Sequence, residues 1–234
     1  ALSLPFLAEP LRKSVQWATP LLALLFLLTI REGNYGTFSI MGLHLVFGRV
    51  DRLSLLFGVV FTISTFIGMV YSLHVKQKQE IIASFVYAGS ALGAVFAGDF
   101  LTLFLFWEIM AFSSVLLVWF SGPRGWAPGM RYLMVHVLGG VCLLIGILLY
   151  VANGHNSVTF SHISLNGMGP ALILLGVLIN AAAVPFHAWL PDAYPEATVT
   201  GAVFMSALTT KTAVYVLIRA FAGTELLVIT GVVM

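Results

Sequence analysis

The chain has 234 residues, of which 60% are hydrophobic and only 9% charged, with a net charge of +2 at neutral pH. A water-soluble domain carries about a quarter charged residues, so this composition excludes a polar-coated globule, and the small net charge excludes a binder of nucleic acid built on phosphate neutralisation. The single cysteine, Cys142, excludes an intrachain disulfide and a four-thiolate cluster.

A membrane span needs about 20 mostly apolar residues. Residues 1–11 are too short for one, and no basic region precedes them, so they read as the tail of a helix or an interfacial segment rather than a signal peptide. A start at Ala1 and a stop at Met234 inside an apolar run suggest a processed or truncated product. The first span is expected over residues 15–30, bounded by Arg12, Lys13 and Arg31. Alternation from Phe38 to Phe47, with Gly42 and Gly48, then predicts a short β-hairpin outside the bilayer near residues 36–48. The second span covers residues 53–73, and Lys76, Lys78 and Glu80 mark the turn after it. The third, residues 81–97, carries Gly89 and Gly93 at the spacing that permits close helix approach; ordinary glycine tolerance in a membrane helix is an equal reading.

After a turn at Gly98 and Asp99, the fourth span (residues 100–121) carries Glu108, and GPRGWAPG is a turn by composition. The fifth span, residues 130–152, carries His136, and residues 153–169 read as an extramembrane loop. The sixth and seventh spans lie within residues 171–219, joined by the polar break VPFHAWLPDAYPEATVTG; Pro185 interrupts the first and Lys211 sits near the middle of the second. Residues 225–234 look like the start of an eighth. The expectation is an all-α polytopic transmembrane bundle of about seven to eight spans. Basic residues near span ends place Arg12, Lys13, Lys76, Lys78, Arg124 and Arg131 on one side and Arg31, Arg49, Arg52 and Arg219 on the other. This favours the Lys76 and Arg124 side as cytoplasmic.

An ionisable group deep in hydrocarbon is costly and is a functional hypothesis by default. Glu108 and Lys211 are both too deep to snorkel. A carboxyl balanced between burial and an opposite charge can load and unload a proton near neutral pH; the plain alternatives are a protonated acid bonding a neighbouring helix and a static ion pair. Thr209, Thr210 and Thr212 surround Lys211 with hydroxyls. Pro185 lacks an N–H and clashes with the carbonyl of residue 181, so backbone acceptors near Asn180 need protein or cavity water. Asn180 and His187 flank this break and suggest a wet pocket, against the alternative of a simple kink. His136, with an unperturbed pKa of about 6.5, is a proton relay or a satisfied core histidine at even weight. Asp192 and Glu196 read as caps for the seventh helix, with proton entry a lesser role.

FWEIM in the fourth span, VPFHAWLPDAYPEATVTG after the broken helix, LTTKTAVYVLIR on the next helix and RVDRLSLLF opening the second span resemble the antiporter-like membrane subunits of respiratory complex I, of related membrane-bound hydrogenases and of Mrp-type cation/proton antiporters, D-like among the last. The resemblance covers residues 49–223. It implies two inverted five-helix repeats, of which this chain would hold the first, as residues 80–222 with a discontinuous helix at the Pro185 span, beside residues 1–52 as N-terminal helices and hairpin, 53–79 as a peripheral span and 223–234 leading into a further helix. It implies an ion path through Glu108, matching the family's fifth-helix glutamate, and Lys211, matching its eighth-helix lysine, with His136 where the sixth helix often presents a polar group. One departure is Asn180, which stands where most members carry a lysine paired with the glutamate. Another is PEATVTG, which lacks the family's usual proline after Glu-Ala.

The resemblance implies a membrane protein moving protons, or exchanging sodium for protons, through Glu108, Lys211, His136, Asn180 and His187, with Thr210, Asp192 and Glu196 as secondary candidates. In this expectation Glu108 and Lys211 pair alternately. The rival is a non-conducting scaffold protein of the same kind of assembly, whose transport was lost with Asn180. No redox, hydrolytic, metal or cofactor motif is present, and a haem carrier would need paired deep histidines where only His136 is deep. The implied partners are other membrane subunits, the lipid bilayer, protons and sodium, with no nucleic acid, in a bacterial or archaeal cytoplasmic membrane.

Overall fold

In a computed structural model of the chain, the described residues are 8–40, 42–153, 158–225, 227–228 and 231. The elements run α1 (Glu9–Leu27), β1 (Gly33–Ile40), β2 (Leu43–Val50), α2 (Arg52–Tyr71), α3 (Lys78–Phe96), α4 (Phe100–Trp119), α5 (Trp126–Ala152), α6 (Met168–Asn180), α7 (Trp189–Ala193) and α8 (Val199–Phe221). The expected helical bundle and the hairpin are both present. β1 and β2 pair antiparallel, with Gly33 opposite Val50 and Ser39 opposite His44, so the hairpin is longer than its strongest alternation suggested. Among the described residues, five helical stretches are long and apolar enough to cross a membrane: Arg52–His74, Lys78–Phe96, Phe100–Trp119, Pro123–Ala152 and Val199–Phe221. Large apolar side chains cover the outer faces, among them Ile67, Leu105, Phe112, Met134, Leu138 and Leu148.

The remaining expected spans differ. α1 begins at Glu9, not residue 15, and takes Arg12 and Lys13 inside the helix. Arg12 and Gln16 are 5% and 1% exposed, so Arg12 does not flank a span but lies on the helix face turned inward with Gln16 and Pro20. α6 has only 13 residues. The expected eighth span falls largely outside the described residues.

Local chemistry sets the helix starts. The Asp51 side chain accepts from the Ser54 N–H at 2.9 Å while the Ser54 hydroxyl accepts from the Asp51 N–H, a capping box for α2. Asp99 caps α4 through the Thr102 N–H at 2.7 Å and also receives the Val46 N–H of β2 at 2.8 Å. Thr198 caps α8 through the Gly201 N–H at 3.0 Å. α5 starts four residues before the expected Met130, because Pro128 sits in its first turn, where a missing N–H costs nothing.

α6 ends earlier than Pro185 requires. Its last residue is Asn180, Ala182 has φ 57°, and the Ala183 and Ala182 N–H groups donate to Leu178 and Ile179 carbonyls at 3.0 and 3.2 Å. This is a Schellman cap with alanine in the left-handed position usually held by glycine. Beyond it lie a cis Val184–Pro185 peptide, a 3-10 turn over Phe186–Ala188, and α7. The helix therefore ends five residues ahead of the proline, at this cap, and not by the ring clash.

α5 and α6 cross at two glycine pairs. A Cβ on Gly176 would come 2.4 Å from the Gly139 carbonyl, and one on Gly146 would come 2.7 Å from the Gly169 carbonyl. Between α3 and α4, Gly93 lies against the Phe106 ring, whereas Gly89 faces open space, so only one of the two spaced glycines makes a close approach.

At the hairpin end, Arg219 of α8 donates to Asp51 at 2.6 Å, and Arg49 approaches Asp51 at 3.2 Å. The Arg219 guanidinium lies 5.4 Å from the Phe160 ring and 5.2 Å from that of Tyr215. The Phe160 and Ile163 N–H groups reach the carbonyls of Gly98 and Ala220. Hairpin, α2 start, loop and α8 end are thereby joined. At the other end Arg131 of α5 grips Asp192 of α7 with two hydrogen bonds, 2.7 and 2.8 Å, and the Thr200 hydroxyl donates to the buried Glu80.

Candidate functional site

The site is built around the middle of α5. Glu108, two turns into α4, turns one carboxylate oxygen onto the bare backbone of Gly140: a Cβ at that position would lie 1.8 Å from Oε1. Oε1 is buried and has no hydrogen-bond partner among the described residues. Outward of it, Glu108 borders a groove of ≈ 550 Å³ between α3 and α4, lined by Ile82, Val86, Phe112 and Leu116. On the other flank of α5, Asn180 at the end of α6 is fully buried, and its Oδ1 lies 2.9 Å from where a Cβ on Gly139 would be. Neither amide atom of Asn180 has a partner. Consecutive glycines thus receive a carboxyl from α4 and an amide from α6.

His136 lies one turn earlier on α5 and is 1% exposed. Its Nδ1 pairs with the Tyr132 carbonyl at 2.9 Å, its ring stacks on Tyr132 at 3.9 Å, and the Trp189 ring meets it edge-on at 4.5 Å. His136 Nε2 and Trp107 Nε1 are buried without partners. Trp189 Nε1 donates at 3.0 Å to the Ile179 carbonyl, which also accepts the Ala182 N–H of the cap, and this bond holds the indole over His136. Buried hydroxyls continue from here: Tyr132 pairs with Ser114 at 2.8 Å, and Tyr87 pairs with Thr209 of α8.

A buried polar group left unpaired costs about 1–3 kcal/mol. The unpaired atoms of Trp107, Glu108, His136 and Asn180 therefore oppose folding of a dry bundle. Polar groups retained at that cost inside membrane helices face functional water or ions as a rule.

Other expected site residues lie elsewhere. Lys211 is exposed on the outer face of α8, where Nζ donates to the Ser206 carbonyl at 2.6 Å and to Thr210 Oγ1 at 3.1 Å. Thr209 and Thr212 face inward from the same helix; at about 100° per residue, Lys211 between them cannot. Among the described residues Glu108 and Lys211 form no ion pair. His187 and Pro185 are exposed and do not join Asn180. Asp192 does not cap α8 but pairs with Arg131, whose hydrogen bonds hold its carboxyl below the usual range. Glu196 is half-buried, and Thr198 does the capping.

Sequence reasoning missed Gly139, Gly140, Trp107 and Tyr132, although two adjacent glycines in an apolar helix were a visible signal. It also took Glu80 for a turn charge, because the residue sits at the edge of its apolar run. Asp51 was missed as well. Burial pushes its carboxyl up, but bonds from Arg219 and the Ser54 N–H and the charges of Arg219 and Arg49 hold it at about 2.

This arrangement defines a membrane-embedded helix bundle with a broken helix and a polar seam through its middle. Residues 97–231 match the family model described as NADH:quinone oxidoreductase/Mrp antiporter, TM, and the chain belongs to that family. It is 33% identical over 196 residues to a Na(+)/H(+) antiporter subunit of Alkalihalophilus pseudofirmus, a match covering 74% of this chain and 24% of that one. It is 34% identical over 141 residues to the putative antiporter subunit mnhA2 of Staphylococcus aureus strain MRSA252, covering 56% and 18%. In structure it is similar to a chain of the Mrp complex from Dietzia sp. DQ12-45-1b, with TM-score 0.81 and 26% identity over 93% of this chain and 26% of that one. The fold also matches a chain of Thermus thermophilus respiratory complex I, with TM-score 0.78 and 19% identity over 98% and 52%. The chain spans about a quarter or less of the curated antiporter relatives it matches.

Proposed function

We propose that this chain forms an ion-conducting unit of an antiporter-like membrane protein, moving protons, or sodium exchanged for protons, along the polar seam around α5. The carrying observation is the set of buried, unpartnered atoms Glu108 Oε1, His136 Nε2 and the Asn180 amide on three adjoining helices. Water bonded to these atoms would give a proton positions to occupy. His136 Nε2 accepts a proton near the helix break, Asn180 orients water across Gly139, and Glu108 takes up and releases the proton at Gly140. Residues 80–222 make up this unit, with residues 1–52 and 53–79 on its periphery and 223–234 leading to further helices.

Lys211, with Thr210 beside it, faces outward and serves as a station completed by protein beyond this stretch. That reading fits a chain covering a quarter of its antiporter relatives. Asp192, Glu196 and His187 lie toward the Arg131 end, where they shape entry to the seam. Pro185 lies in the break itself, between the end of α6 and the 3-10 turn that leads into α7. We place the Lys76 and Arg124 end on the cytoplasmic side of a bacterial or archaeal cytoplasmic membrane. The relatives' names, a Na(+)/H(+) antiporter component and an Mrp complex, support the ion and the multisubunit setting.

The test is Glu108→Gln in the assembled complex, read as sodium-driven pH change in everted membrane vesicles. Transport is expected to fall by about 100-fold or more, the scale at which a positioned proton-transfer group acts, with normal assembly. Normal transport by the variant would end the reading.

A further inference from the structure

We infer that Gly140 is the seat that holds the Glu108 carboxyl inside the bundle, and that without it the carboxyl turns out into the groove between α3 and α4. The inference rests on the function proposed for Glu108 and adds a positioning residue to it.

The geometry is one-sided. An ideal Cβ on Gly140 falls 1.8 Å from Glu108 Oε1, 2.9 Å from Cδ and 3.6 Å from Oε2. No side chain fits there while the carboxyl keeps its place. The clashing atoms are the far end of a flexible side chain rather than backbone, so an alanine displaces the carboxyl and leaves the helices where they are. Elsewhere on α5 the glycines do something different. At Gly139 an added Cβ meets Asn180 Oδ1 at 2.9 Å and also the α6 backbone, 3.1 Å from the Gly176 carbonyl, and at Gly146 it meets the α6 backbone 2.7 Å from the Gly169 carbonyl. Those two set helix spacing, and Gly140 sets where one carboxyl points.

The displaced carboxyl has one place to go. Glu108 already borders the ≈ 550 Å³ groove, whose other walls are apolar apart from Gln79 and Ser113. Ile109 and Phe112, on the same helix face, point outward from the bundle. Seated on Gly140, the carboxyl faces the glycine step whose other flank carries Asn180; in the groove it faces away from Asn180 and His136. A proton held there is off the seam. The glycine thus fixes which of two environments the acid occupies.

Gly140→Ala tests this in the full chain reconstituted in lipid, with Gly89→Ala as the control, because a Cβ at Gly89 meets nothing within 4 Å. The first readout is labelling of Glu108 by the apolar reagent dicyclohexylcarbodiimide, followed by peptide mass. The Ala variant is expected to label severalfold faster than the parent or the control, since its carboxyl lies open to the lipid side. The second readout is transport in the assembled complex, expected to fall by about 100-fold, as for an ångström-scale misplacement of a reacting group. Glu108→Asp, one methylene shorter, is expected to recover most of that loss in the Gly140→Ala background. Unchanged labelling in Gly140→Ala overturns the seat, whatever transport does, and so does loss of transport that Glu108→Asp does not recover. If Glu108→Gln transports normally, the proposed function fails, while faster labelling of Gly140→Ala still establishes where the carboxyl sits.

Discussion

Asn180 carries both a donor and an acceptor into a space where the described residues offer neither a partner. A residue kept for packing would not do so, because leucine fills a similar volume without the unpaired atoms. Asn180→Leu is therefore expected to leave the melting temperature unchanged or raised while lowering transport by about 10-fold or more, less than the loss of a group that itself transfers the proton. Thermal unfolding of the detergent-solubilised protein beside vesicle transport checks both halves. Asn180→Lys, which restores the charge that related chains carry at this position by the resemblance, is expected to bring no gain. A gain would mark Asn180 as a lesion and the chain as a scaffold.

At the opposite end of the bundle, Asp51 serves two roles that one substitution can separate. Asparagine caps helices as well as aspartate does, so Asp51→Asn keeps the cap on α2 and removes the charge facing Arg219. Breaking a fully buried pair costs about 3–5 kcal/mol. Solvent reaches Asp51, so a smaller loss of about 1 kcal/mol is expected. Its carboxyl is held at about 2 in the fold, below the ordinary value of about 4. This stabilisation is thus complete above about pH 4 and is lost as pH falls through about 2. Melting curves from about pH 5 down to about pH 2 should converge for the parent and Asp51→Asn; parallel curves would show that the charge contributes nothing.

Among the elements, the short α7 is the one held by side chains rather than by its own length. Arg131 pins it through Asp192, and Trp189 seats it over His136. Exposed ion pairs contribute about 0–1 kcal/mol, so Asp192→Asn should barely change global stability. It should instead raise amide exchange across residues 186–194, which hydrogen-exchange mass spectrometry reads directly. Unchanged exchange there would mean the indole alone holds α7.

The spans α2 to α5 and α8 were legible because long apolar runs end at charged or glycine-rich turns. The end of α6 was not. A proline in the sequence pointed to residue 185, but the chain stops at a cap made by backbone bonds around Ala182, and alanine in a left-handed turn leaves no mark in composition. α1 was misread at its start, because Arg12 and Gln16 look like flanking residues until the face of the helix on which they fall is known.

Taken as a whole molecule, the chain shows how far polar residues in apolar runs point to a site. Glu108, His136 and Asn180 stood out in sequence, and the fold brings all three to the middle of α5. Lys211 stood out equally, yet the periodicity of α8 turns it outward, so the pairing with Glu108 is absent. Depth in a span can be counted from sequence; the direction a side chain faces depends on neighbouring helices that the count does not see. This chain covers 26% of the related Mrp chain.

The central claim is that the seam around α5 is wet. A high-resolution density map of the complete assembly in lipid measures this most directly. Ordered waters are expected on His136 Nε2, the Asn180 amide and Glu108 Oε1, continuous past Gly139 and Gly140. A seam filled by side chains, with those atoms paired to one another or to protein and no water between them, would contradict it.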